Sequence, residues 1–136
     1  MKVLILATLA AITLTGCQTR PTKITDSPTV VTKAGVSEIT PEQARPAVDA
    51  AYSQFVDVRT PEEFAAGHAS RARNIPLDTL IDDLGRLEKN EPVYLICQTG
   101  RRSLEAARML NEAGFPQTIS IAGGTTAWKE AGLPME

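Results

Sequence analysis

Three short runs of this chain, residues 55–58, 93–96 and 118–121, are largely apolar on both faces, and shorter runs of the same kind surround Ile39 and Ile75. Near-continuous hydrophobicity suits strands of a parallel sheet that is covered on both sides. Between these runs the period changes. Leu77, Leu80, Ile81, Leu84 and Leu87 recur at helical spacing, and this predicts a helix packed on the sheet. The order β-α-β-α implies an α/β fold, with a central, mostly parallel five-stranded sheet and helices on both faces.

The helix boundaries are written plainly. Thr40, Pro41, Glu42, Gln43 and Thr60, Pro61, Glu62, Glu63 each place Thr at the N-cap, Pro at the first helical position and Gln or Glu at the third, the pattern of a capping box. Gly114, Phe115, Pro116 and Gly132, Leu133, Pro134 each offer a glycine for the left-handed position after a helix and a proline that cannot continue it.

In a parallel sheet, ligands bind outside the carboxyl ends of the strands. Residues 57–59, residues 97–103 and the pair Gly123, Gly124 leave the strand candidates at that edge. Cys97 heads the second of these, followed by Gln98, Thr99, Gly100, Arg101, Arg102 and Ser103 and then by a helical pattern. A free cysteine at the end of a buried strand usually packs as a small hydrophobe. A glycine and two arginines in the next five residues argue otherwise, because cations beside an apolar core are costly to bury. The loop has no proline, so every residue keeps its N–H, and Gly100 accepts backbone angles that a Cβ resists. Such a loop can form a nest of N–H groups at a helix N-terminus, which binds small anions and favours a thiolate. Cys97 is therefore the candidate nucleophile, and Gln98, Thr99, Gly100, Arg101, Arg102 and Ser103 are the candidate substrate-binding residues.

At 136 residues and 43% hydrophobic composition the chain supplies one ordinary core and little room for a second. A formal net charge of −2, with no basic run interleaved with aromatics, argues against nucleic acid as a partner. Two cysteines without a CxxC pair or Cys/His cluster leave no local motif for a dithiol or zinc site, so no metal or cofactor is expected. Nothing in the sequence fixes the oligomeric state, and a monomer is the default expectation.

Lys2 precedes an apolar stretch over residues 3–14, which is too short to span a hydrocarbon core of about 30 Å but suits the apolar part of a signal peptide. Leu14, Thr15, Gly16 and Cys17 then resemble the lipobox of bacterial lipoproteins. That resemblance implies a signal peptide over residues 1–16 and lipidation of Cys17, which becomes the first mature residue and anchors the protein to a membrane. The alternative is a plain secretory signal, with Cys17 removed or left to pair with Cys97. Gln18 after the cysteine resembles outer-membrane sorting in enteric-type bacteria, so the expected location is the cell envelope, facing the periplasm, with the outer membrane favoured. Residues 17–36 are rich in Thr, Pro, Ser, Lys and Val and read as an extended tether, leaving residues 37–136 as the folded domain.

The folded part resembles the single-domain members of the rhodanese family of sulfurtransferases. The resemblance rests on Asp57, Val58, Arg59; on Glu62, Glu63, Phe64 leading to Gly67, His68; on Asn74, Ile75, Pro76, Leu77; on the loop CQTGRRS; and on Gly123, Gly124, Ala127, Trp128 and Gly132, Leu133, Pro134. The family's loop has Cys, two variable residues, Gly, one variable residue and Arg, positions filled here by Cys97, Gly100 and Arg102. It implies that the Cys97 thiolate takes a sulfane sulfur from a small anionic donor such as thiosulfate, becomes a persulfide, and passes the sulfur to a thiol or cyanide acceptor. Loop N–H groups from Gln98 through Ser103 would face the terminal sulfur, and Arg101 and Arg102 would attract the donor. Arg101 stands at a variable position, where it could equally be a solvated residue. Asp57 and Arg59 read as a structural ion pair, His68 as structural because a nested thiolate needs no base, and Trp128 as a ring buried by the last helix.

Other uses of the same residues stay open. A cysteine phosphatase or arsenate reductase also uses Cys, an anion loop and Arg, but with five residues between Cys and Arg, whereas four separate Cys97 from Arg102. A binding module that keeps the fold without catalysis, and an envelope persulfide carrier or thiol-oxidation sensor using the same cysteine, complete the alternatives.

Overall fold

The computed structural model describes residues 31–33 and 36–136, so the signal-peptide segment, the lipobox and Cys17 lie outside the described residues. Local signals set the helix limits. Thr40 caps α1 (Pro41–Val48) and Thr60 caps α2 (Pro61–Ala65). In each capping box the threonine hydroxyl accepts from the N–H three residues on, while Gln43 or Glu63 accepts from the threonine N–H. The helices α3 (Arg101–Glu112) and α4 (Gly124–Glu130) end at Gly114 and Gly132, which adopt φ of 92° and 68°. There the Phe115 N–H bonds the Leu110 carbonyl and the Leu133 N–H bonds the Trp128 carbonyl, closing Schellman motifs at the glycines the sequence offers for them.

The strands are β1 (Val31–Lys33), β2 (Val36–Ile39), β3 (Gln54–Asp57), β4 (Arg73–Asn74), β5 (Val93–Ile96) and β6 (Thr118–Ile121), in the spatial order β1-β2-β6-β5-β3-β4. The five parallel strands are those expected. β1 is an addition: it pairs antiparallel with β2 at the sheet edge, inside the segment read as tether. Val31 and Thr32 are β-branched, and only two residues separate β1 from β2, which favours a hairpin over a free linker.

Side chains alternate between two cores. On one face Val56, Val58, Val93, Leu95 and Cys97 pack against Ala106, Ala107 and Leu110 of α3. On the other, Phe55, Ile96 and Ile121 pack against Ala44 and Val48 of α1 and Trp128 of α4. The Trp128 ring is buried beside Phe55, 5.4 Å between centroids, and its Nε1–H donates to the Pro134 carbonyl.

The helix expected over residues 77–87 is not formed. Two single 3₁₀ turns, Leu77–Thr79 and Leu84–Arg86, occupy that segment. Leu80 and Leu87 are buried, but Ile81, which a continuous helix would place on the same face, is 44% exposed. Thr79, Asp82, Asp83 and Gly85 are weak helix formers, so the leucines reach the core from successive turns instead.

In-register pairing of Asp57 with Ile96 and of Ile39 with Ile121 brings the segments that follow four parallel strands to one edge. The tightest approach there is at Gly124, whose φ is 57° and where an added Cβ would lie 2.2 Å from the Cys97 carbonyl oxygen. Gly124→Ala is expected to lower stability by about 2–4 kcal/mol in urea unfolding. A loss below about 1 kcal/mol would show that the Cys97 loop yields without cost.

Candidate active site

Cys97 leaves β5 at its carboxyl end and carries a free thiol in a residue that is 1% exposed. The chain then passes through exposed Gln98 and Thr99 to Gly100, which takes φ of 94° and forms the N-cap of α3. That left-handed turn aims the Gly100 N–H at Cys97 Sγ, 3.1 Å away. The thiol in turn donates to Ser103 Oγ at 3.5 Å, and Ser103 donates to the Gly100 carbonyl at 3.0 Å. The Ser103 and Ser120 hydroxyls lie 2.9 Å apart. With Ser103 Oγ–H directed at Gly100, Ser120 is left to donate to Ser103.

A second helix braces the loop from behind. The Thr125 N–H of α4 donates to the Cys97 carbonyl at 2.7 Å, and the Thr126 N–H donates to the Gln98 carbonyl at 3.2 Å. The first-turn N–H groups of α4 are thus spent on the loop backbone, whereas those of α3 at Arg101, Arg102 and Ser103 have no acceptor within their own helix. These free donors carry the partial positive charge of the helix start, at the end of the loop that Cys97 opens.

Beside the loop opens a cleft of about 420 Å³, lined by Arg59, Glu63, Ala66, Gln98, Thr125, Thr126, Lys129 and Glu130. The candidate residues are therefore brought together but not used alike. Gln98 faces the cleft and Arg101 is exposed. Ser103 is fully buried, and its hydroxyl holds the loop from beneath through the Gly100 carbonyl. Arg102, expected to attract a donor, is clasped by Glu63: Nη1 to Oε2 at 2.7 Å and Nη2 to Oε1 at 2.8 Å. The same carboxylate accepts from the Thr60 N–H at 3.0 Å. The Arg102 hydrogen bonds and the Thr60 N–H hold the Glu63 carboxyl down at about 2, and Glu63 in turn raises Arg102 above its ordinary value.

Asp57 and Arg59 form a buried ion pair, as expected. Asp57 accepts from the Arg59 N–H, Nε and Nη2, and Arg59 Nη2 also donates to the Gly67 carbonyl at 2.7 Å. Asn74 Nδ2 donates to the carbonyls of Asp57 and Arg59 and so fixes this turn. His68 is held away from the sulfur's bonding network, stacked on Phe64 at 3.7 Å and within 3.0 Å of the Phe64 carbonyl through Nδ1. Sequence reasoning gave Glu63 only its capping role and passed over Lys129; pairing across 39 positions leaves no local signal. Among the described residues no cluster of three or more His, Cys, Asp or Glu side chains is placed to hold a metal ion.

Residues 40–131 match the Rhodanese-like domain family. The chain belongs to this family. Among proteins similar to this rhodanese-like domain is YqhL of Bacillus subtilis, 41% identical over 76 residues that cover 56% of this chain and 60% of that protein. The chain thus spans less than two thirds of YqhL. Thiosulfate sulfurtransferase 16 of Arabidopsis thaliana chloroplasts is 37% identical over 93 residues, 60% of this chain and 78% of that protein. Thiosulfate sulfurtransferase GlpE of Vibrio cholerae is 33% identical over 84 residues, 62% of this chain and 79% of that protein. The crystal structure of a rhodanese-like domain protein from Staphylococcus aureus superposes with a TM-score of 0.62 at 36% identity, covering 67% of this chain and 89% of that one. A rhodanese-related protein from Thermoplasma volcanium gives 0.65 at 28% identity, covering 73% and 96%.

The lowered Glu63 carboxyl stabilises the fold above the ordinary carboxylate value of 4.5, and that contribution is lost as pH falls toward about 2. Glu63→Gln keeps an acceptor for the Thr60 N–H, so its cost reports the charge. The paired side chains are 31% and 33% exposed, and solvent screening limits the cost at pH 7 to about 1 kcal/mol. In urea unfolding the gap between the parent protein and Glu63→Gln should close as pH falls through that range. A gap that persists at the acid end would assign the cost to packing.

Proposed function

We propose that this protein is a rhodanese-type sulfurtransferase that moves a sulfane sulfur through a Cys97 persulfide. The observation that carries the reading is the Gly100 N–H directed at Cys97 Sγ, 3.1 Å away, in a loop opening on the N-terminus of α3. The thiolate is the reactive form of cysteine, and this donor is fixed in place before any reaction. With a donor of the thiosulfate type, Cys97 Sγ attacks the sulfane sulfur. A new S–S bond forms, and the old one breaks with its electron pair leaving on sulfite. A thiol or cyanide then attacks the outer sulfur and restores the Cys97 thiolate. The covalent intermediate divides one difficult transfer into two easier ones. Two similar proteins bear the name thiosulfate sulfurtransferase, which supports the same chemistry here. The four-residue spacing between Cys97 and Arg102 makes a tighter loop than a phosphatase needs for a tetrahedral oxyanion. The lipobox ending at Cys17 supports a lipid-anchored protein working at the envelope and facing the periplasm.

Intact mass spectrometry of the full-length protein, before and after thiosulfate, tests the chemistry. The expected result is a gain of one sulfur atom, absent in Cys97→Ala and discharged by cyanide as thiocyanate. No gain despite a titratable Cys97 thiol would overturn the reading and favour a binding role.

A further inference from the structure

The cleft beside Cys97 is balanced in charge rather than cationic. Its lining includes Arg59 and Lys129 but also Glu63 and Glu130. Arg59 is committed to the carboxylate of Asp57 and to the Gly67 carbonyl. Arg102 is committed to both oxygens of Glu63. A dianion in the cleft meets the Glu130 carboxylate, and to reach the Arg102 guanidinium, which is not itself on the cleft wall, it would have to displace a carboxylate that also accepts from the Thr60 N–H. The cleft, about 420 Å³, also exceeds what thiosulfate fills, and Ala66, Thr125 and Thr126 on its wall suit an uncharged organic group.

Resting on the sulfurtransferase reading, we propose that Glu63 is a specificity-determining residue that withholds Arg102 from the donor, and that the site favours sulfane donors carrying one organic substituent and at most a single negative charge over dianionic thiosulfate. Glu63 acts through Arg102 and is a positioning residue. With a thiosulfonate donor, Cys97 Sγ bonds to the sulfane sulfur and the donor's S–S bond breaks. The bonding pair departs on the sulfinate, so no external oxidant or reductant is consumed.

Methanethiosulfonate and thiosulfate are a suitable pair of probes, because a methyl group replaces one charged oxygen and the sulfane sulfur is kept. With cyanide as acceptor and ionic strength fixed, kcat/KM for both donors is measured in the full-length protein, Glu63→Gln and Arg102→Gln. Freeing Arg102 in Glu63→Gln should raise kcat/KM for thiosulfate about fivefold through KM, the equivalent of releasing one exposed ion pair. The methanethiosulfonate value should move by less than about twofold. Arg102→Gln, which does not depend on Glu63→Gln folding, should leave the ratio between the donors close to that of the parent protein. The proposal is overturned if Glu63→Gln leaves that ratio unchanged or loses thiosulfate selectively, or if Arg102→Gln loses thiosulfate selectively, since Glu63 would then be presenting Arg102 to the donor. Failure of the parent protein to take sulfur from either donor would instead overturn the sulfurtransferase reading, and this proposal with it.

Discussion

The geometry of the site depends on the chain reversing its hand at Gly100. With φ at 94°, the Gly100 N–H turns back on Cys97 Sγ while its carbonyl accepts from the Leu104 N–H and from Ser103 Oγ. A side chain there would be strained by the left-handed backbone and would press on the Gly123 nitrogen 3.0 Å from its Cβ. The same glycine therefore starts α3, holds the sulfur's donor in place and lets residues 123–124 close against the loop. The sheet supplies the rest: parallel register delivers β5 and β6 to one edge, so that two helices begin on either side of the cysteine. One helix spends its first N–H groups on the loop carbonyls, and the other has its own free of acceptors within the helix. The placing of a buried cysteine between two helix starts thus follows from where two short strands end.

Glu63 joins the fold's local grammar to this site. As the third residue of α2 it completes a capping box with Thr60, a local contact that the sequence shows directly. As the partner of Arg102 it fixes α2 against the start of α3, a contact that only the folded sheet can make. The two roles reinforce each other, since the Thr60 N–H orients the carboxylate for the guanidinium and lowers its proton affinity. Removing the charge alone, as in Glu63→Gln, separates them.

What was legible in the sequence follows the range of the interaction. The capping boxes at Thr40 and Thr60, the Schellman glycines Gly114 and Gly132, the five parallel strands and the Cys97 loop all rest on residues within a few positions of one another. The segment over residues 77–87 was misleading because apolar spacing alone does not distinguish a helix from successive turns that drop leucines into the same core. The exposure of Ile81 makes that distinction. β1 escaped notice because three residues are too few to show a period. Long-range pairings had no local signature: Glu63 with Arg102, Ser103 with Ser120, and the placement of Lys129 on the cleft wall. These contacts surround the loop from a distance along the chain, whereas the candidate nucleophile Cys97 was marked by its neighbours.

The two arginine–carboxylate pairs of the site illustrate why location decides role. Asp57 is fully buried and Arg59 nearly so, and their charges are satisfied by each other, by the Arg59 N–H and by the Gly67 carbonyl. Separating them would strand a charge in the core, a cost of several kcal/mol, so the pair is a fixed part of the turn after β3. Glu63 and Arg102 are each about one third exposed, and water can take over from either partner at small cost. Such a pair can open for a ligand that offers better contacts and stay closed to one that does not. Permanence in the first pair and exchangeability in the second arise from the same chemistry at different depths.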